Sequence, residues 1–81
     1  MAKFMLVCEH EAKDCEAISQ ELNDLGVPAI YQGVEASCSC PFGVHGGWAI
    51  VDADGESDAL ASLGPINRSH TKAYQVELVQ L

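Results

Sequence analysis

The chain has 81 residues, a length that predicts one domain spanning residues 1–81. With 48% hydrophobic and 20% charged residues, its composition is typical of a folded globular protein and argues against a disordered chain. The 12 acidic residues outnumber the 4 basic ones and give a formal net charge of -8. We therefore expect no binding to nucleic acid or to anionic membrane surfaces, because the few cations are scattered: Lys3, Lys13, Arg68 and Lys72.

The opening apolar run, Phe4-Met5-Leu6-Val7, bears on where the protein resides. It is too short for the core of a signal peptide and far too short to cross a bilayer, so we expect a cytoplasmic location. Thiols stay reduced in that compartment. The four cysteines therefore favour metal or redox chemistry over a disulfide framework, although any single cysteine can also serve as a small buried hydrophobe.

The first half of the chain predicts a strand, a helix and a second strand. Lys3 to Cys8 is a nearly continuous apolar run, as in a central strand. Asp14 is a good N-cap for a helix that Gly26 would end, and the apolar residues between them repeat at helical spacing: Ile18, Leu22 and Leu25. Loose alternation predicts the second strand from Ala29 to Glu35.

The second half predicts a loop, a strand, a short helix and a final strand. Pro and Gly indicate a loop from Ala36 to His45, and β-forming residues indicate a strand from Gly46 to Asp52. A short helix would follow the turn at Asp54-Gly55 and end at Gly64-Pro65. The remaining segments would be a polar connection and the last strand, at Ile66 to Thr71 and Ala73 to Leu81.

This order predicts the α+β fold of the ferredoxin-like β-α-β-β-α-β type, a four-stranded antiparallel sheet with two helices on one face. In that topology three connections meet at one end of the sheet: strand 1 to helix 1, strand 2 to strand 3, and helix 2 to strand 4. Every cysteine and histidine falls in or beside those connections: Cys8, His10 and Cys15 in the first, Cys38, Cys40 and His45 in the second, and His70 in the third.

Thiolate and imidazole groups gathered at one end predict a metal site, because soft and borderline metal ions select these ligands. We expect zinc, copper(I) or nickel, held without an enzymatic role. The first choice of ligands is Cys8, His10, Cys38 and Cys40, with Cys15 and His45 next. The spacings are not those of standard zinc fingers, whose paired ligands usually lie two to four residues apart.

Two other functions are compatible with the sequence. One is a small-molecule enzyme with a pocket formed by aromatic and imidazole groups: Tyr31, Trp48, Tyr74, His10 and His45. The other is an interaction module without a ligand, in which the cysteines only pack in the core. An apolar pocket under Trp48 without nearby thiols would favour the enzyme, and buried, separated cysteines would favour the module.

Three stretches resemble a group of small ferredoxin-like bacterial and archaeal proteins: Lys3 to His10, Gly46 to Gly55 with its Val51-Asp52-Ala53-Asp54 turn, and Tyr74 to Leu81. Relatives of this group include an actinobacterial nickel-binding protein of the dimeric α+β barrel type. The resemblance implies a homodimer joined through sheet faces and is compatible with metal binding. Copper chaperones share the expected fold, but their Met-x-Cys-x-x-Cys signature is absent here.

Overall fold

A computed structural model describes all 81 residues. The chain forms a four-stranded antiparallel sheet and three helices. The strands are β1 (Ala2–Glu9), β2 (Ala36–Cys38), β3 (Gly46–Ala53) and β4 (Thr71–Val76), and the helices are α1 (Cys15–Leu25), α2 (Glu56–Leu60) and α3 (Pro65–His70). Short 3-10 turns cover Ala12–Asp14, Ala29–Tyr31 and Cys40–Phe42. None of the helices combines the length and apolarity needed to span a bilayer.

The sheet has the strand order β2-β3-β1-β4, so β1 lies in its interior, as its apolar sequence predicts. In the β1–β3 ladder Phe4 lies opposite Val51 and Glu9 opposite Gly46. In the β1–β4 ladder Cys8 lies opposite Thr71. The end of β1 that carries the cysteine therefore adjoins the start of both neighbouring strands.

The hydrophobic core lies under α2, on one face of the sheet. Phe4 and Leu6 of β1 are buried on that face because successive side chains of a strand point to opposite sides. They pack with Val51, Ala53, Ala59 and Ala73. Only 13 of the 81 residues are buried, so the core is small and offers limited hydrophobic stabilisation.

The second strand lies later in the chain than predicted. The Ala29–Glu35 prediction is wrong: Ala29–Tyr31 forms a 3-10 turn, and β2 covers only Ala36–Cys38, within the predicted loop. Pro28 precedes the turn with its φ at -55°, and Gly33 takes a left-handed φ of 74°. The 3-10 turn and the left-handed Gly33 both interrupt the extended backbone that a strand requires.

The predicted β-α-β-β-α-β order is not matched, because the connection between β3 and β4 holds two short helices instead of one. α2 ends at Leu60, a few residues before Gly64-Pro65, where the sequence predicts the end of the helix. The predicted polar connection then becomes α3, since proline is favoured in the first turn of a helix and Pro65 begins a new one. The last strand correspondingly starts at Thr71 and stops at Val76, before the predicted end at Leu81.

The predicted first helix is confirmed. Asp14 is the N-cap residue of α1, although its side chain makes no capping hydrogen bond. Gly26 ends the helix with a positive φ of 78°, and its N–H donates to the carbonyl of Leu22. The helix start therefore lies beside the end of β1, which brings Cys15 to the predicted end of the sheet.

Candidate metal centre

His10 follows directly after β1 and remains in register with the neighbouring strand. Its backbone N–H donates to the carbonyl of His45 at 3.3 Å, one step beyond the last paired residues of the β1–β3 ladder. The two imidazole rings lie with their centroids 5.7 Å apart in an edge-to-face arrangement. The sheet register thus brings two histidines that are far apart in sequence next to each other.

Cys40 is carried to the same place by the turn between β2 and β3. Ser39 prolongs the β2–β3 pairing by donating its N–H to the carbonyl of Gly46 at 3.1 Å. The 3-10 turn Cys40–Phe42 then reverses the chain, and Gly43 closes it with a left-handed φ of 96° that favours glycine. Cys40 and His45 consequently stand at the two ends of one tight connection.

Cys15 is the first residue of α1 and completes the group. The 3-10 turn Ala12–Asp14 folds the chain back after β1, with the N–H of Asp14 donating to the carbonyl of Glu11 at 3.0 Å. The N–H of Cys15 in turn donates to the carbonyl of Ala12, so the turn runs directly into α1 and holds Cys15 near His10. The position therefore suits a metal-ligating cysteine.

Four side chains form one cluster that could hold a metal ion: His10, Cys15, Cys40 and His45. One ligand atom from each lies within 4.8 Å of all the others. A tetrahedral zinc ion keeps its sulfur and nitrogen ligands about 3.3–3.8 Å apart, given metal–ligand bonds of about 2.0–2.3 Å. Binding would thus require the outermost ligand atoms to approach each other by about 1.0–1.5 Å at most.

Within the cluster, the His10 ring stands between two thiols. Its Nε2 lies 3.4 Å from the Sγ atom of Cys40, and its Nδ1 lies 3.8 Å from the Sγ atom of Cys8. Partial burial lowers the pKa of His10, as do the neighbouring imidazoles of His45 and His70, whereas Asp14 acts in the opposite direction. The ring is therefore neutral at neutral pH, and one of its nitrogens has a lone pair to offer a metal ion.

His45 contributes a buried atom without a partner. Its Nδ1 is shielded from solvent, yet it makes no hydrogen bond. Such atoms are rare in folded proteins, because a buried polar group without a partner costs about 1–3 kcal/mol. A metal ion bound at this nitrogen would remove that cost, so the environment of His45 fits the role of a ligand.

The two remaining predicted ligands lie outside the cluster. Cys8 and Cys38 both pair with Gly47, from opposite sides of β3, so two strand spacings of about 4.8 Å separate them. Cys38 is exposed. Cys8 is half-buried, and burial raises its pKa. A hydrogen bond with Thr71 lowers the pKa, whereas negative charge on the other three cysteines would raise it further. All four cysteines are free thiols.

His70 reaches the same end of the sheet but is engaged elsewhere. It ends α3, and its Nε2 lies 3.7 Å from an Asp14 carboxylate oxygen. Its Nδ1 lies 2.9 Å from the carbonyl of Ile66. The predicted gathering of cysteines and histidines at one end is thus seen in the structure, while the local contacts decide which of them share one centre.

The geometry of the site does not match what either alternative function predicts. A cleft bordered by Trp48 exists, but Cys8, Cys15, Cys38 and Cys40 also line it, so it is not the thiol-free pocket expected of the enzyme. Nor are the cysteines buried and separated, as the ligand-free module would require.

Comparison of the chain with protein-family models, with curated proteins and with solved structures found no match. The resemblance to small ferredoxin-like proteins therefore stays a prediction.

Proposed function

We propose that the protein binds one zinc ion through His10, Cys15, Cys40 and His45. The observation that carries this proposal is the convergence of four ligand atoms within 4.8 Å of one another. Two thiolates and two imidazoles are a standard ligand set of closed, tetrahedral zinc sites. Copper(I) would favour a site richer in sulfur, and nickel one richer in histidine, so the balance of ligands supports zinc over both.

The proposed role of the ion is to stabilise the fold. The ligands come from three segments of the chain: the end of β1, the start of α1 and the β2–β3 connection. All three residues of β2 are exposed, so hydrophobic packing does little to hold this edge strand in place. Small domains often compensate for a limited core with a structural metal ion. An ion here would tie the edge of the sheet to α1.

Elemental analysis of protein purified without chelators or an affinity tag tests the proposal. We expect close to one zinc ion per chain, and a loss of that ion when Cys15→Ser and Cys40→Ser are combined. Cys38→Ser is the matched control, because it removes an exposed thiol outside the cluster. Metal-free protein that takes up no zinc, or equal loss of zinc in the control, would contradict the proposal.

Two further expectations accompany the proposal. The first is a homodimer joined through the open sheet face, where Ile50 and Tyr74 are 36% and 52% exposed. Sedimentation of wild-type protein beside Ile50→Glu tests it, since a dimer formed through this face would dissociate in the variant. The second is a cytoplasmic location, where free thiols stay reduced and available to a metal ion.

A further inference from the structure

A cleft of about 500 Å³ separates α1 from the β2–β3 edge of the sheet. α1 contributes Ile18 and Leu22 to one wall, and the segment between α1 and β2 contributes Tyr31 and Val34. Ala36 of β2 lies on the opposite wall. This volume falls within the range of about 300–1,000 Å³ that is usual for small-molecule sites.

The cleft exists because α1 does not share the main core. The buried cluster under α2 includes residues from β1, β3, α2 and β4 but none from α1, which packs against α3 instead. Apolar side chains on the sheet side of α1 are left partly uncovered; Leu22, for example, is 38% exposed. Covering such surface is favourable by about 25 cal/mol per Å². The cleft is therefore suited to an apolar occupant.

Apart from the proposed metal centre, whose two thiolates would balance the charge of a zinc ion, the walls of the cleft carry no formal charge. None of the 20 lining residues is Asp, Glu, Lys or Arg, although the chain has 12 acidic and 4 basic residues. A charged ligand would lose hydration on entering and find no counter-ion there. The absence of charge selects for a neutral ligand.

A small number of polar groups are available to orient such a ligand. Burial raises the pKa of Tyr31, and negative charge on Cys8 would act in the same direction, so the phenol stays protonated and can donate a hydrogen bond. Ser19 adds a hydroxyl group to the wall that α1 forms. A mostly apolar wall with a few polar groups is the usual composition of a small-molecule site.

We propose that this cleft binds a small, uncharged, predominantly apolar organic molecule, one end of which lies against the side chains of the metal centre. His10, Cys15 and Cys40 belong both to that centre and to the cleft lining. The metal centre would therefore form the end wall of the ligand site. This inference goes beyond metal binding, and the two can be tested separately because metal content and ligand binding are measured independently.

The test is a fluorescence titration with two matched probes, the neutral phenylnaphthylamine and its sulfonated derivative anilinonaphthalene sulfonate. The two share an aromatic framework and differ by one charged group. Wild-type protein is compared with Ala36→Phe, which fills the cleft, and with Leu22→Glu, which places a charge in its wall. Ile50→Glu is the control, since Ile50 lies on the opposite face of the sheet and does not line the cleft; one chain forms the whole lining, so loss of a dimer through that face would leave the cleft intact. Zinc content and circular dichroism are recorded for each sample.

We expect the neutral probe to bind at least about tenfold more tightly than the sulfonated one. We also expect each cleft variant to weaken neutral-probe binding by about the same factor, while Ile50→Glu leaves it unchanged. The inference is overturned if the neutral probe does not bind, if the sulfonated probe binds equally well, or if only Ile50→Glu removes binding. If one cleft variant fails to fold, the other carries the test, because Leu22 and Ala36 lie on opposite walls of the cleft. If the purified protein contains no zinc and takes none up, yet binds the neutral probe, the cleft inference stands and only the metal centre is contradicted.

Discussion

The Nε2 atom of His10 lies 3.4 Å from the Sγ atom of Cys40, although 30 residues separate them in sequence. The opposite nitrogen of the same ring faces Cys8 at 3.8 Å. This arrangement assigns different tasks to the two thiols. Cys40 and His10 can bind one ion through Sγ and Nε2. With an ion on Nε2 the ring would carry its proton on Nδ1, and the sulfur of Cys8 is placed to accept it and to fix the orientation of the ring.

Removing the Cys8 thiol is expected to weaken metal binding without removing a ligand. Loss of such an outer partner typically costs about 10- to 100-fold in affinity, and we expect Cys8→Ala to fall in that range. Cys8→Ser should retain more affinity, because its hydroxyl can still accept the Nδ1 proton. Competition with a zinc-sensitive dye measures the affinities. Complete loss of zinc in Cys8→Ala, equal to the loss in Cys40→Ser, would instead make Cys8 a ligand.

Metal removal should loosen the edge of the sheet more than its centre. Without the ion, the β2–β3 connection is attached to α1 only by weak contacts, whereas β1 and β3 remain joined by a full ladder. Hydrogen exchange before and after chelation measures the effect. We expect faster exchange at residues 36–45 and little change within β1. Uniform acceleration across the chain would indicate that the whole domain unfolds without the ion.

Glu21 makes the stability of the protein depend on pH. Its carboxylate accepts hydrogen bonds from the N–H groups of Ile66 and Asn67, each at 2.8 Å, and thereby caps α3. Burial alone would raise the pKa of Glu21, but the hydrogen bonds from Asn67 and Ile66 outweigh it and lower the pKa below the ordinary 4.5. Because the folded-state pKa is the lower one, this stabilisation is present above pH 4.5 and is lost as the pH falls through the folded-state value.

The substitution Glu21→Gln isolates this contribution. We expect the variant to be less stable than wild type at neutral pH and to lose less stability on acidification, since it has no carboxylate to protonate. Urea denaturation at several pH values provides the measurement, with Glu16→Gln as the control at an exposed position on the same helix. Parallel stability curves for Glu21→Gln and wild type would contradict this account.

A side chain at Gly64 should be unfavourable, because it would displace the hydrogen-bonded carboxyl group of Glu21. A Cβ atom at this position would lie 2.5 Å from the Glu21 carboxyl group and 2.8 Å from Leu25 Cδ1. Overpacking of this kind costs about 1–3 kcal/mol. We expect Gly64→Ala to lower the free energy of unfolding by that amount, measured by urea denaturation. Gly55→Ala is the control, because its Cβ would meet nothing within 4 Å. Equal costs for the two variants would argue against the close contact.

The sequence predicts the elements with clear patterns and misplaces those without them. β1 has a continuous apolar run, and α1 has helical spacing ended by Gly26, so both are found where they were predicted. β2 has only three residues, all exposed, and its place in the sheet depends on pairing with β3 rather than on any pattern of its own. The capping of α3 by Glu21 had no signal in the sequence either, since Glu21 looks like a solvent-facing helix residue.

The order of the elements predicts where the candidate site lies, but it does not predict which residues form it. The order of elements is enough to bring cysteines and histidines to one end of the sheet. Choosing among them requires the register that sets His10 opposite His45 and the 3-10 turn that brings Cys40 inward and leaves Cys38 exposed. These details depend on long-range hydrogen bonds, which no local spacing encodes.

X-ray absorption spectroscopy of the zinc-loaded protein tests the central claim most directly, because it counts the sulfur and nitrogen atoms around the ion. The account predicts two sulfur ligands at about 2.3 Å and two imidazole nitrogens at about 2.0–2.1 Å. It also predicts that the spectrum of Cys38→Ser is identical to that of the wild type. A shell of three or four sulfur atoms, or one of oxygen atoms only, would contradict the assignment of His10, Cys15, Cys40 and His45 as the ligands.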